Sequence, residues 1–278
     1  MTTIKERQLT VVLIGVKGSG KSTLGNALLG LHPHDESGFQ PDISSKSCTS
    51  NTVIKCGYWL GDLLKPVRII DTLGCDSEAG RSEDQSKNVI RAIRSEGTID
   101  AFLLVRVSQH PKYDEREAEY LRILMRVFGP EFLEHLVVVF SHRIFPASDE
   151  YGQQRTDAIV EGAKEHWSLL ADGHDGVRVP MVTLDPLHDE GEEMETLAFR
   201  QSANNLYETI ANFTAMPVGG IEMARSANES LKQQISRLRE MRANQFLGDE
   251  TLHTTTRKVE MLVEQLRLSR DAQHQFFG

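Results

Sequence analysis

The residues best equipped for chemistry are Gly15-Val16-Lys17-Gly18-Ser19-Gly20-Lys21-Ser22. Their spacing is G-x-x-x-x-G-K-[ST], a glycine-rich loop that cradles phosphate when it joins a strand to a helix. The pattern predicts that the backbone N–H groups of Gly18, Ser19, Gly20, Lys21, Ser22 and Thr23 turn toward phosphate oxygens, helped by the positive end of the following helix. Lys21 is expected to reach the β- and γ-phosphates, and the Ser22 hydroxyl to hold Mg²⁺. A second group, Asp71-Thr72-Leu73-Gly74, follows about fifty residues later and reads D-x-x-G. There Asp71 is expected to hold Mg²⁺ through water and the Gly74 N–H to meet the γ-phosphate. Between the two lies a polar segment, residues 38–49, in the place of a nucleotide-sensitive switch. Thr49 is its candidate hydroxyl for Mg²⁺.

These groups work only if the chain brings them to one edge, and the hydrophobic pattern does so. Residues 9–14, 67–70, 101–105, 136–140 and 180–184 are short apolar, β-branched runs that predict strands. Helical patterns run from Ser22 to Leu29 and over residues 83–94, 115–128, 156–170 and 194–215. The alternation predicts an α/β domain with a mainly parallel sheet covered by helices on both faces. Ligands in such sheets bind at the carboxyl ends of the strands, where both loops fall. Trp59 and Trp167 read as packing residues.

The chain changes character near Pro217, so residues 1–217 are expected to form the nucleotide domain and 218–278 a helical extension. Ile221, Ala224, Leu231, Ile235 and Leu238 keep a heptad spacing, as do Leu252, Val259, Leu262 and Leu266 after a break near Gly248. The two helices read equally as a hairpin folded back on the domain or as a coiled-coil-like arm for a partner.

Several motifs in order now resemble the GIMAP (AIG-type) family of septin-like GTPases, of the TRAFAC class. Gly18-Ser19-Gly20-Lys21-Ser22 with Gly25-Asn26-Ala27-Leu28-Leu29-Gly30 resembles its extended first motif. Ser47-Cys48-Thr49 resembles its first switch, and Asp71-Thr72-Leu73-Gly74 its D-T-P-G. Residues 101–105, Tyr113-Asp114-Glu115-Arg116-Glu117 and Phe128-Gly129 resemble the box after its fourth strand. Phe140-Ser141-His142-Arg143 falls where the family has F-T-[RH]-x. The resemblance covers roughly residues 8–215. It implies a P-loop GTPase fold, GTP or GDP as ligand with Mg²⁺, and a homodimer formed through the nucleotide face, often near intracellular membranes.

Three positions depart from that pattern. The carboxylate that reads guanine is missing after Ser141, and Asp185 in Thr183-Leu184-Asp185-Pro186 is the candidate substitute from the neighbouring loop. His142 is a candidate to stack on the base. No Gln follows Gly74, where Cys75 stands, which predicts slow or partner-dependent hydrolysis. Lys17 stands where the family normally has Thr, and its ammonium is a candidate to stabilise charge beside the γ-phosphate, in cis or across a dimer.

Bulk properties narrow the classes further. A net charge of −9 argues against broad nucleic-acid binding. Cys48, Cys56 and Cys75, an odd and scattered set, fit reduced intracellular thiols rather than a disulfide framework or zinc site. No signal-peptide core and no membrane-span run is present, so a cytosolic protein, or one peripheral at intracellular membranes, is expected. The expected function is a guanine-nucleotide switch or scaffold with slow or dimerisation-dependent GTP hydrolysis. The alternatives are a nucleotide-binding interaction protein that acts through its helical tail without hydrolysis, and a P-loop kinase or ATPase.

Overall fold

The computed structural model describes residues 7–32, 35–40, 52–74, 82–107, 115–129, 131–141, 154, 158, 161, 179–188, 191–219, 235–236, 259–264 and 267. Six strands form the main sheet: β1 (Leu9–Ile14), β2 (Val53–Tyr58), β3 (Pro66–Asp71), β5 (Ala101–Val107), β6 (Leu136–Ser141) and β7 (Met181–Thr183). Their order is β2-β3-β1-β5-β6-β7. All neighbours run parallel except β2, which pairs antiparallel with β3. Two short strands, β4 (Thr98–Ile99) and β8 (Met216–Pro217), pair separately. The β8 pairing at Pro217 ties the expected domain boundary to the loop before β5.

The central strands are apolar throughout because helices cover both faces of a parallel sheet. One face, with Val12, Ile14, Phe102, Leu104 and Val138, packs on helices α2 (Ser82–Arg94), α3 (Glu115–Phe128) and the short α4 (Glu131–Glu134). The other, with Leu13, Ile69, Leu103 and Val139, packs on α1 (Lys21–Leu28) and α5 (Glu193–Ala211). Trp59 is fully buried on this second face, and its indole N–H donates to the Ala203 carbonyl at 3.1 Å. The β2–β3 hairpin is thereby clasped to α5, and the Lys65 Nζ adds a bond to the Asn204 side chain at 3.0 Å.

Strand β2 is absent from the sequence expectation for a physical reason. It is an edge strand whose residues alternate between half-buried and exposed, with Lys55 and Gly57 inside it. Such a strand lacks the continuous apolar run of its buried neighbours. In the extension, Ile235, Val259 and Leu262 are helical and buried, whereas Met261 and Val263 are exposed. The buried three are the heptad positions. Among the described residues no helix is long and apolar enough to cross a membrane.

Candidate nucleotide site

Because β1, β3, β5, β6 and β7 run parallel, Ile14, Asp71, Val107, Ser141 and Thr183 end at one edge of the sheet. The glycine-rich loop leaves β1 at that edge and enters α1 through Gly20, at φ 88°. A side chain there would meet the strain of the left-handed region. No side chain caps the start of α1, and a helix N-terminus of this kind favours an anion.

Lys21 is 93% removed from solvent, with a relative exposure of 7%. Its ammonium donates to the carbonyls of Gly15 at 3.1 Å and Val16 at 2.9 Å. The loop therefore bends around its own lysine. One residue on, Ser22 Oγ donates to Asp71 Oδ2 at 2.6 Å. Asp71 Oδ1 is buried and has no hydrogen-bond partner among the described residues. Burial pushes the Asp71 carboxyl above its ordinary range, against the hydrogen bond from Ser22 and the charge of Lys21. A buried carboxylate oxygen without a donor, beside a serine hydroxyl, is the donor set that suits a hard cation with few protein ligands, such as Mg²⁺.

The segment after β3 is held against the loop. Thr72 Oγ1 donates to the Leu13 carbonyl at 2.6 Å. A Cβ on Gly74 would lie 2.5 Å from the Lys17 backbone nitrogen, so only glycine permits this approach. Lys17 itself is exposed at the loop tip, beside that contact. Asn26, fully buried, braces the other side of α1: its amide donates to the Phe39 carbonyl at 2.8 Å and accepts from the Phe39 N–H at 2.6 Å. Thus the Gly25-Asn26 extension of the loop fastens α1 to residue 39. The sequence held the asparagine but no sign of its partner.

Asp185 lies in the turn after β7, and its Oδ1 accepts the Leu187 N–H at 3.0 Å. His188 stacks on Phe199 at 4.5 Å between ring centres. Thr49 and His142 lie outside the described residues. One further pair escaped the sequence reading. Arg106, at the end of β5, forms a buried ion pair with Glu117 of α3 at 3.0 Å. Its only sequence signal is a charge following an apolar strand.

A model of the AIG1 family matches residues 9–160, more than half of the chain. Immune-associated nucleotide-binding protein 7 of Arabidopsis thaliana is 33% identical over 132 residues, which cover 47% of this chain and 40% of that protein. GTPase IMAP family member 8 of Rattus norvegicus is 30% identical over 156 residues, covering 56% and 20% respectively. The chain spans less than half the length of these relatives. Among solved structures, Toc33 from Arabidopsis thaliana, in complex with GDP and Mg²⁺, aligns with a TM-score of 0.56 at 19% identity, covering 77% of this chain and 88% of that one. That likeness is one of fold.

Proposed function

The chain belongs to the AIG1 family, and from that premise we propose a Mg²⁺-dependent guanine-nucleotide switch with slow hydrolysis. The observation that carries this reading is the buried Ser22–Asp71 pair with an unpartnered carboxylate oxygen at the mouth of a lysine-bearing phosphate loop. The loop amides of Gly18 to Thr23 bind the phosphates, and Lys21 neutralises them. Ser22, Asp71 and Thr49 hold the ion. When bound, Mg²⁺ would supply neutralisation of the phosphate charge. The Gly74 N–H meets the γ-phosphate, which makes the segment after β3 responsive to the nucleotide's state. A relative named as a GTPase supports guanine as the base. Nucleotide extracted from the purified protein is expected to be GTP or GDP; recovery of ATP or ADP alone sinks the reading.

Asp185 reads the guanine N1 and N2 hydrogens, with His142 stacked on the base. Asp185→Ala is expected to lower the GTP-over-ATP preference by about tenfold or more, since a charge-assisted hydrogen bond contributes about 1.5–3 kcal/mol. Competition binding measures it, and an unchanged ratio removes Asp185 from the site. Asp185 sits in a half-exposed turn, so the fold survives the change.

Cys75 in place of a water-orienting Gln supports slow hydrolysis. Lys17 partly replaces it by placing a cation beside the γ-phosphate, next to Gly74. In Lys17→Ala, single-turnover hydrolysis is expected to fall about tenfold while GTP affinity stays within about threefold. Unchanged turnover discards the role. The same assay at low and high protein concentration tests a homodimer formed through the nucleotide face. If hydrolysis is absent at both, the protein is instead a nucleotide-stabilised interaction module, acting through the helices of residues 218–278. Its proposed place is the cytosol or the surface of an intracellular membrane.

A further inference from the structure

Position 106 interrupts an apolar face. Along β5, Phe102 and Leu104 pack on the side of α2 and α3, and the two-residue period of a strand sends Arg106 the same way. The Arg106 and Glu117 side chains are only 5% and 4% exposed. They meet as a fork: Nε donates to Oε1 at 3.2 Å, and Nη2 lies 3.0 Å from Oε2. Burying two charges costs about what their attraction offsets, so an apolar pair of similar volume would serve stability as well. Apolar contact does not supply direction. A fork sets distance and angle together, whereas an apolar contact is non-directional.

The pair sits where direction matters. Arg106 lies one residue before the end of β5, at the edge where the phosphate loop begins. A Cβ on Gly15 would stand 2.4 Å from the Val105 carbonyl oxygen, so the loop rests on the residue next to Arg106. Glu117 lies in the first turn of α3. Leu73, between Asp71 and Gly74, packs on the core cluster to which α3 contributes Tyr120 and Leu121. That cluster therefore touches the D-x-x-G segment, and the fork ties its α3 wall to the strand beneath the loop. We propose that Arg106 and Glu117 are a positioning pair: they hold α3 in register with the phosphate loop, so that Leu73, and with it the Gly74 N–H, stands where a γ-phosphate is met. GDP has no γ-phosphate, and its affinity does not depend on the pair. This rests on the reading of residues 15–22 and 71–74 as the phosphate sites.

The test compares wild type, Arg106→Met, Glu117→Leu and the double variant. Each is measured by melting curve and by affinity, with Mg²⁺, for GDP and for a non-hydrolysable GTP analogue. Each single variant strands a buried charge and melts lower than wild type. The double variant melts close to wild type or above it. Its GDP affinity stays within about threefold of wild type, while its affinity for the GTP analogue falls about tenfold, as the loss of one charge-assisted hydrogen bond at the lower end of its range brings. A double variant that keeps the wild-type ratio of the two affinities overturns the proposal, whether both hold or both fall together. Where the double variant melts as low as the single ones, Arg106→Lys decides, because it keeps the charge and loses the fork. The same selective loss of the GTP analogue in Arg106→Lys supports the pair's role, and an unchanged ratio overturns it. Failure of the wild type to bind either nucleotide strikes the functional reading instead.

Discussion

Lys21→Ala is expected to weaken GTP binding by about two orders of magnitude while leaving the protein folded. The reason lies in what the ammonium touches. It now donates to two neutral carbonyls, Gly15 at 3.1 Å and Val16 at 2.9 Å. With a triphosphate, those donors pass to charged oxygens, and bonds between charged partners are about twice as strong as neutral ones. A net gain of about 2.7 kcal/mol corresponds to a hundredfold in affinity. The fold loses two bonds to neutral carbonyls, a buried one at Gly15 and a part-buried one at Val16, a cost of about 1–3 kcal/mol that a domain's stability of about 5–15 kcal/mol absorbs. Lys21→Arg is expected to fail too, since a planar guanidinium does not fit the curve of a loop closed around a compact ammonium. Titration with a fluorescent GTP analogue checks both. Affinity within about threefold of wild type in Lys21→Ala would sink the phosphate-loop reading.

How much of this was legible beforehand depends on the physical range of each feature. The loop, α1 and the five parallel strands carry their information locally, in glycine spacing and apolar runs, and the structure contains all of them. The expected strand 101–105 extends to Val107 because Arg106 is paired with Glu117, which lets a charge continue a buried strand. The helix expected over 194–215 ends at Ala211, and the chain turns to give Met216 and Pro217 to β8. Strand β2 exists through pairing with β3, a non-local cause that alternation of half-exposed residues does not announce. In the site, Ser22 and Asp71 were legible as types at the right spacing. Their 2.6 Å contact and the orphaned oxygen were not, since burial is a property of the fold.

Asp71→Asn is expected to produce opposite changes in function and stability. The substitution keeps shape and the contact with Ser22 but removes the charge. In the ligand-free protein that charge is buried and half unpaired, and its burial raises the carboxyl above its ordinary range. Leaving a buried polar group unsatisfied costs about 1–3 kcal/mol, more when it is charged. Asp71→Asn is therefore expected to melt a few degrees higher than wild type without nucleotide or Mg²⁺. With both added, the order reverses. Wild type gains stability from the ligand by mass action, whereas the variant holds Mg²⁺ weakly and its melting point hardly moves. Mg²⁺-dependent GTP affinity is expected to drop about a hundredfold, because a neutral amide oxygen is a poor donor to a hard divalent ion. A variant that melts lower than wild type in the absence of ligand assigns Asp71 a structural role. A variant with an undiminished Mg²⁺ response removes it from the metal site. The expected crossing of the two melting curves follows from the unpaired carboxylate oxygen at the end of β3 together with the proposal that a cation beside Ser22 relieves its cost.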